Sequence, residues 1–479
     1  MSDQTRRPNR RRRRRHFNYR AIIFWLAVVL VVLGIIAVVT SLAGNNGSES
    51  DTKQSSQHSI RTEATSGTTV SSHTTSTTTK GSTAPMEPTP PDEPQETVKE
   101  STATIGATGD VLMHLPCIRP AKTSNGYDFT PYFTHIQDYL TAPDYMVANL
   151  ETTLAALDNG YEYHGYPNFN CPDEIVYDLQ AMGVDMFLTA NNHTYDTSTV
   201  GFNRTQQIIA EAGLDHIGTK ISTDVDDYLV KDINGIKIGM VCYTYETDAG
   251  KDSVRLNDGA KLPSGVASRI NTFHGDDVAG FIKNLGQDIE DMKADGAEAV
   301  VLYIHWGVEY QLKQNKIQEK FAQAACDLGV DVIVGGHPHV IQPMDLLTSN
   351  KDEDHKTVCL YSTGNFMSNQ RLGNISYVHT AHTEDGILFN FSFARYSDGT
   401  VRLEEVELLP LWIDMHTRTG KTIYDVIPLD KEVEDWKTQF GLTDKTLKQA
   451  EDSYQRTMKI VGDGLEEVQK YLDSLPPVE

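Results

Sequence analysis

The sequence predicts an α/β domain over residues 101–412, in which buried and largely parallel strands deliver polar side chains to one edge of a sheet. Three observations predict it. From residue 102 onward, short apolar runs alternate with stretches of helical periodicity. Nearly every apolar run ends in a cluster of Asp, Asn, Glu or His. Residues 298–336 read as strand, helix, strand, and such a βαβ unit must place its two strand ends on the same side.

The chain ahead of this domain has a different composition. Arginines Arg6, Arg7 and Arg10 to Arg15 precede an uncharged run from Ala21 to Val39. Nineteen residues at about 1.5 Å each reach about 30 Å, enough to cross a hydrocarbon core. Residues 1–20 are therefore expected to be a basic cytoplasmic segment and 21–43 a single transmembrane anchor in the cell membrane, with the rest of the chain extracellular. A cleaved signal peptide is the alternative, because Ser41 and Ala43 form a small-x-small site, but signal cores usually run only about 7 to 15 residues. Residues 44–100 are rich in Ser, Thr, Gly and Pro and have no apolar periodicity. They cannot bury enough surface to offset chain entropy, so a disordered stalk is expected, either carrying the domain through a cell-wall layer or acting as a plain spacer.

Charge excludes some partners. The first twenty residues hold nine arginines and one aspartate, and removing them from 42 basic and 66 acidic residues leaves 33 against 65, a net near −32. Nucleic acid is not an expected partner of so acidic a domain, and neither is anionic lipid. The five cysteines, Cys117, Cys171, Cys242, Cys326 and Cys359, are too scattered for a disulfide scaffold. Buried thiols are expected, with a Cys117–Cys171 pair as the alternative.

Taken in order, Ala103 to Thr108 is a strand ending in Gly109-Asp110, and Tyr145 to Ala148 runs into Asn149-Leu150-Glu151. A helix from Asp173 to Met182 closes at Gly183, and Val184 to Ala190 leads to Asn191-Asn192-His193-Thr-Tyr-Asp196. A helix from about Thr199 to Ala212 and a strand from Ile236 to Thr244 follow. The next thirty or so residues lack clear periodicity, and long loops of this kind often shape a substrate entrance. After a helix from Asp276 to Ala294, Glu298 to Ile304 delivers His305-Trp306-Gly307. The helix Ile317 to Leu328 and the strand Val330 to Val334 lead to Gly335-Gly336-His337-Pro338-His339. There the histidines, at i and i+2 on an extended segment, would point to one side. Thr357 to Tyr361 is a further strand, and Gly386 to Arg395 with Thr400 to Leu409 a closing hairpin. The tail, residues 413–479, is polar and expected to be helical.

The side chains gathered at the strand ends suit metal chemistry. Carboxylate, amide and imidazole ligands favour a divalent ion such as Mn, Fe or Zn, and one or two ions are expected. Two ions about 3.5 to 4 Å apart can polarise a phosphoryl group. The candidate ligands are Asp110, Glu151, Asn192, His305, His337 and His339. His193 is then available as a general acid, with Asp196 near enough in sequence to orient it. The competing reading makes His193 a capping or core histidine. Glu309 is either a partner of these ligands or a solvated charge.

The segments GATGDVLMH (106–114), ANLETTL (148–154), ANNHTYD (190–196), HWGVEY (305–310), GGHPHVIQP (335–343) and STGNFMSNQ (362–370) occur in that order. This set resembles the CapA/PgsA capsule-synthesis family, associated with poly-γ-glutamate production and with calcineurin-like metallophosphoesterases. The resemblance covers about residues 101–412 and implies a metallophosphoesterase-like αββα sandwich. It implies that Asp110 is the first metal aspartate, that Glu151 or Asn149 takes the place of the bridging carboxylate, and that Asn192, His305, His337 and His339 are further ligands. It also implies that His193 is the catalytic histidine. Residue 112 is Leu where phosphoesterases usually carry a histidine, and His114 stands two positions later.

Three functions follow as expectations. One is a membrane-anchored extracytoplasmic protein supporting capsule synthesis or export, with capsule-synthesis membrane proteins and an anionic polymer as partners. Another is a metal-dependent hydrolase acting on a cell-surface substrate. The third is a non-catalytic scaffold that binds polymer or protein.

Overall fold

Strands form where the β-branched and aromatic runs lie, in chain order: β1 (Lys99–Leu112), β2 (Tyr145–Leu150), β3 (Met186–Leu188), β4 (Asp215–Ile217), β5 (Tyr228–Ile233), β6 (Ile236–Tyr245), β7 (Arg255–Leu256), β8 (Ala260–Lys261), β9 (Thr272–Phe273), β10 (Ala299–His305), β11 (Val332–Gly336), β12 (Ile341–Thr348), β13 (Lys356–Thr363), β14 (Asn365–Ser368), β15 (Asp385–Tyr396), β16 (Val401–Arg418) and β17 (Lys421–Pro428). The computed structural model describes residues 97–247, 253–376, 378–418 and 420–476. The expected basic segment, the anchor at 21–43 and all but the end of the stalk lie outside the described residues. Among the described residues, no helix is long and apolar enough to cross a membrane.

Apart from β7 and β8, which pair only with each other, the strands form two mixed sheets. One has the order β17-β16-β15-β1-β2-β3-β4, with β14 also paired to β1, and the other the order β12-β13-β11-β10-β6-β5, with β9 paired to β6. Strands β1 to β4 are mutually parallel, as are β6, β10, β11 and β13. Their carboxyl ends therefore open on one edge of each sheet. Every residue of β2 and β10 is buried, which fits strands covered on both faces.

Three apolar clusters explain that burial. Ile105 and Val147 of the first sheet and Met240, Val301 and Leu360 of the second share one core, so the sheets pack face to face. The outer face of the first sheet carries the helices Glu174–Ala181 and Ser198–Glu211, through Ile175, Leu179, Ile208 and Ile209. The outer face of the second carries Val278–Ala294 and Lys316–Cys326, through Phe281, Leu285 and Phe321. The βαβ expectation holds: β10 and β11 are adjacent and parallel, with Ile304 opposite Gly335.

The carboxyl-terminal part departs from a purely helical tail. β16 continues past residue 412 to Arg418, and β17 pairs back along it. Helix dominates only later, in the 31-residue segment Asp444–Ser474, which starts at a Thr443/Thr446 capping box. Its buried face, including Ala450 and Val461, lies against the domain, and a Cβ at Gly464 would stand 1.9 Å from the Met344 carbonyl oxygen. Glycine inside a helix costs roughly 0.5–1 kcal/mol, and here it permits that close approach to β12. Buried Asp385 ties the helix down by accepting from Ser453 Oγ at 2.6 Å and from Arg456 Nε at 2.9 Å. All five cysteines are buried free thiols, so Cys117 and Cys171 are not paired.

Candidate metal centre

Where the carboxyl ends of the two sheets meet, the strand-end residues converge. β1 supplies Asp110, the end of β2 supplies Asn149 and Glu151, and the loop after β3 supplies Asn191, Asn192 and His193. β10 ends in His305, and β11 turns into His337 and His339. Asp110, Glu151, Asn192, His193, His305, His337 and His339 are each at most 5 % exposed. Two groups of potential ligands share Glu151: Asp110, Glu151 and His305, and Glu151, His337 and His339, with the ligand atoms in each within 4.8 Å of one another.

The turn after β11 is not the extended segment expected from its spacing. His337 has φ 96° and His339 φ 55°, both in a region that side-chain-bearing residues seldom occupy. The close approach of other chain segments holds them there. Tyr310 N donates to Pro338 O at 2.8 Å, and Asn365 Nδ2 to His339 O at 3.2 Å. Backbone strain of this kind is sustained only when the surroundings over-determine it. Both imidazoles still reach the cluster, by a route the i, i+2 argument did not foresee. Gly336 leaves room for the Asp110 carboxylate, since a Cβ there would come within 3.1 Å of its Oδ1.

Hydrogen bonds assign the polar atoms. Asp110 Oδ1 accepts from Asn149 Nδ2 at 2.7 Å, while Asn149 Oδ1 accepts from Asn191 Nδ2 at 3.2 Å. Asn149 therefore spends its amide on Asp110, and Glu151 is left as the carboxylate at the shared position. His305 Nε2 lies 2.8 Å from Asn192 Oδ1 and 3.5 Å from Glu151 Oε1. His339 Nδ1 lies 3.0 Å from Asp110 Oδ2, and its Nε2 is 3.8 Å from Glu151 Oε1. Both Glu151 oxygens and His337 Nδ1 are buried without a hydrogen-bond partner. An unpartnered buried polar atom costs roughly 1–3 kcal/mol. Three of them facing one cluster suit a cation better than they suit each other.

Protonation follows from burial. Burial, reinforced by the negative charges of Asp110, Glu309 and Asp196, holds the Glu151 carboxyl well above its ordinary range. Burial also pushes Asp110 up, but the His339 hydrogen bond and charge, with His305 and Asn149, outweigh it and leave it below the usual value. Burial drives His305 down to about 3 and His337 well below the ordinary imidazole value. Both rings are thus neutral, the form that ligates metal. His339 goes the other way: burial lowers it, and the Asp110 bond and charge raise it further than that.

His193 stands beside the ligands. Its Nδ1 is 2.7 Å from Asp196 Oδ2, and its Nε2 is 4.0 Å from Glu151 Oε1. Phe169 packs edge-on to its ring at 4.7 Å, and Phe169 N donates to Asp196 Oδ2 at 2.6 Å. Trp306 is a packing residue, buried with Nε1 donating to Tyr361 O, and Glu309 is half-buried with its charge acting on Glu151 and His339. Sequence reading passed over Asn191, Tyr245 and Asn257. Asn191 sits within the Asn-Asn-His segment and was recoverable. Tyr245, the last residue of β6 and 4.7 Å from the His337 ring, and Asn257, in the aperiodic stretch beyond it and bonded to Asp196, are marked by no motif.

A model of the family described as bacterial capsule synthesis protein PGA_cap matches residues 104–370. The chain is 28 % identical over 270 residues to the capsule biosynthesis protein CapA of Bacillus anthracis, covering 56 % of this chain and 60 % of that protein. It is 24 % identical over 356 residues to the PGA biosynthesis protein CapA of Bacillus subtilis (strain 168), covering 72 % and 84 %. The solved structure of TT1561 from Thermus thermophilus aligns over 60 % of this chain and 94 % of its own, with a TM-score of 0.33 and 5 % identity, a likeness too slight to carry an argument.

Proposed function

Because the chain belongs to the PGA_cap family of bacterial capsule synthesis proteins, we propose that it supports the synthesis or export of a poly-γ-glutamate capsule through the centre built on Glu151. The observation that carries this reading is the buried, unpartnered Glu151 carboxyl lying between Asp110, His305 and His339. Such an arrangement is costly unless a ligand compensates it. In this reading, residues 21–43 anchor the chain once in the membrane, and the domain works outside the cell beside capsule-synthesis membrane proteins. The excess of acidic residues repels a polyanion, so contact with polyglutamate needs bridging cations or a local basic patch. The test is deletion of the gene in a polymer-making host, complemented by wild type or by Glu151→Gln. Polymer restored by wild type alone is expected, and undiminished polymer in the deletion strain overturns the proposal.

A second reading, metal-dependent hydrolysis at the same centre, is favoured by the ligand chemistry. Asp110, Glu151, Asn192, His305, His337 and His339 would hold one or two divalent ions, with Mn, Fe and Zn all compatible with this donor set. A bound ion supplies Lewis-acid polarisation of the scissile bond. The chain's own groups do the rest. Asp196 fixes the tautomer of His193 by accepting from Nδ1, which leaves Nε2 to carry a proton to a leaving oxygen. Phe169 packs against the ring and helps to hold it in place. Elemental analysis of the purified protein beside a His337→Ala/His339→Ala double variant tests it, with stoichiometric metal lost in the variant as the expected result. Metal absent from both folded proteins after loading would leave the scaffold reading.

A further inference from the structure

The aperiodic stretch after β6 contains an arm whose tip touches the His193–Asp196 pair. β7 and β8 pair antiparallel, with Arg255 opposite Lys261, and the short turn Asn257–Gly259 joins them. The arm does not dangle. Leu256 is fully buried, and with Leu262 and Val266 it belongs to the core between the two sheets. Thr247 N donates to Arg255 O at 2.8 Å and Leu262 N to Val254 O at 3.0 Å, while the Arg255 guanidinium braces the turn by donating to Gly259 O at 2.8 Å. Asn257, directly after the buried leucine, is thereby held in place at φ 41°.

We infer that Asn257 is a positioning residue for His193, an inference that rests on the hydrolytic reading above. Asn257 Nδ2 donates to Asp196 Oδ1 at 2.7 Å and to Pro167 O at 3.1 Å, which uses both amide hydrogens. Its 3.3 Å approach to His193 Nδ1 is then a contact and not a bond, consistent with Nδ1 donating its own hydrogen to Asp196. The Asp196 side chain is 1 % exposed, and its Oδ2 is occupied by Phe169 N and His193. Asn257 satisfies the other oxygen. Without that donor a buried carboxylate oxygen is left unpaired, and the carboxylate gains by rotating toward another donor, which frees the imidazole. The arm thus links an otherwise unassigned segment to the orientation of the proton-bearing ring. Groups that hold a reacting residue in this way typically alter activity roughly 10- to 100-fold when removed.

The test uses the full-length chain labelled with 15N-histidine. Asn257→Gly keeps the positive φ and removes only the amide, while Asn257→Asp keeps the shape and turns the donor into a like charge beside Asp196. The first readout is the downfield Nδ1 proton of His193, assigned with His193→Gln. The second is turnover of a chromogenic phosphodiester and monoester with Mn, Fe or Zn supplied, alongside metal content as a folding control. Loss or upfield movement of the proton signal in both variants, with unchanged metal content and a kcat lower by about 10- to 100-fold at little change in KM, is expected. A retained signal in Asn257→Gly overturns the inference. If the wild type turns over neither substrate, the hydrolytic reading fails while the proton signal still decides the role of Asn257.

Discussion

His339 Nδ1 lies 3.0 Å from Asp110 Oδ2, joining two segments 229 residues apart. That bond draws the Asp110 carboxyl below its usual range and the His339 imidazole above its own, each shift favouring the charged form. Glu151, 3.8 Å from the same ring, has no such bond, and burial leaves it with a strong preference for its neutral form. The contrast between these two carboxyls underlies the first prediction.

Glu151→Gln should stabilise the metal-free protein while abolishing metal binding. The folded state keeps a proton on Glu151 that the unfolded chain gives up above its ordinary carboxyl value of 4.5. Stability contributed by that proton is therefore lost as pH rises from there. Glutamine never ionises, so the variant's advantage should grow between pH 5 and 8, reaching roughly 1–3 kcal/mol. Thermal melts of both chelated proteins across that range check it, and a variant less stable than wild type at pH 8 refutes it.

The histidines predict the opposite slope. His305 falls to about 3 in the fold against an ordinary 6.5, so it stays neutral while the unfolded chain takes up protons below 6.5. Its contribution to the metal-free protein is present above pH 6.5 and is lost as pH falls toward 3. Wild type should therefore lose stability relative to His305→Gln over that interval. Urea unfolding midpoints of the two proteins at pH 7, 6, 5 and 4 measure the difference.

Gly335→Ala should prevent the centre from forming. A Cβ there would stand 2.0 Å from the Tyr361 carbonyl oxygen and 2.6 Å from Trp306 Nε1, neither of them a flexible side-chain end. Overpacking typically costs about 1–3 kcal/mol, and a backbone clash falls at the upper end or beyond. Soluble yield and the urea midpoint are the measurements. A variant as stable as wild type would show that β11 and β13 can separate freely.

Asp385→Ala should release the helix Asp444–Ser474 from the domain. The carboxylate is 1 % exposed and receives Ser453 and Arg456 from that helix. The stranded Arg456 side chain is 24 % exposed and can recover water, so the loss is that of charge-assisted hydrogen bonds, about 1.5–3 kcal/mol. Hydrogen exchange should rise across residues 444–474 before it rises in β10 or β11. Uniform protection would place the anchoring elsewhere.

The βαβ unit that brings His305 beside the His337 turn was legible in the sequence, because apolar runs and helical periodicity fix local structure and the chirality of a crossover fixes the rest. That Asp110, Glu151, Asn192, His193, Asp196, His305, His337 and His339 gather in one place was legible for the same reason: each lies at or just beyond a run whose end must fall at one edge. Strands with weak alternation were harder to read. β17 follows a polar stretch, and its place beside β16 depends on Leu411 and Trp412 being buried by distant segments. The positive φ at His337 and His339 could not be read from spacing, since it arises from hydrogen bonds to Tyr310 and Asn365.

Residue types and their order along the chain determined which groups could form a metal site and which strands would carry them. Only the tertiary structure decided their division of labour. It gave Asn149 to Asp110 as a donor, left both Glu151 oxygens without one, and set Asn257 against Asp196 from a segment with no pattern of its own. The physical reason is that periodicity encodes which face of an element is buried, whereas the partner of a buried polar atom depends on which other element is packed within about 3 Å of it.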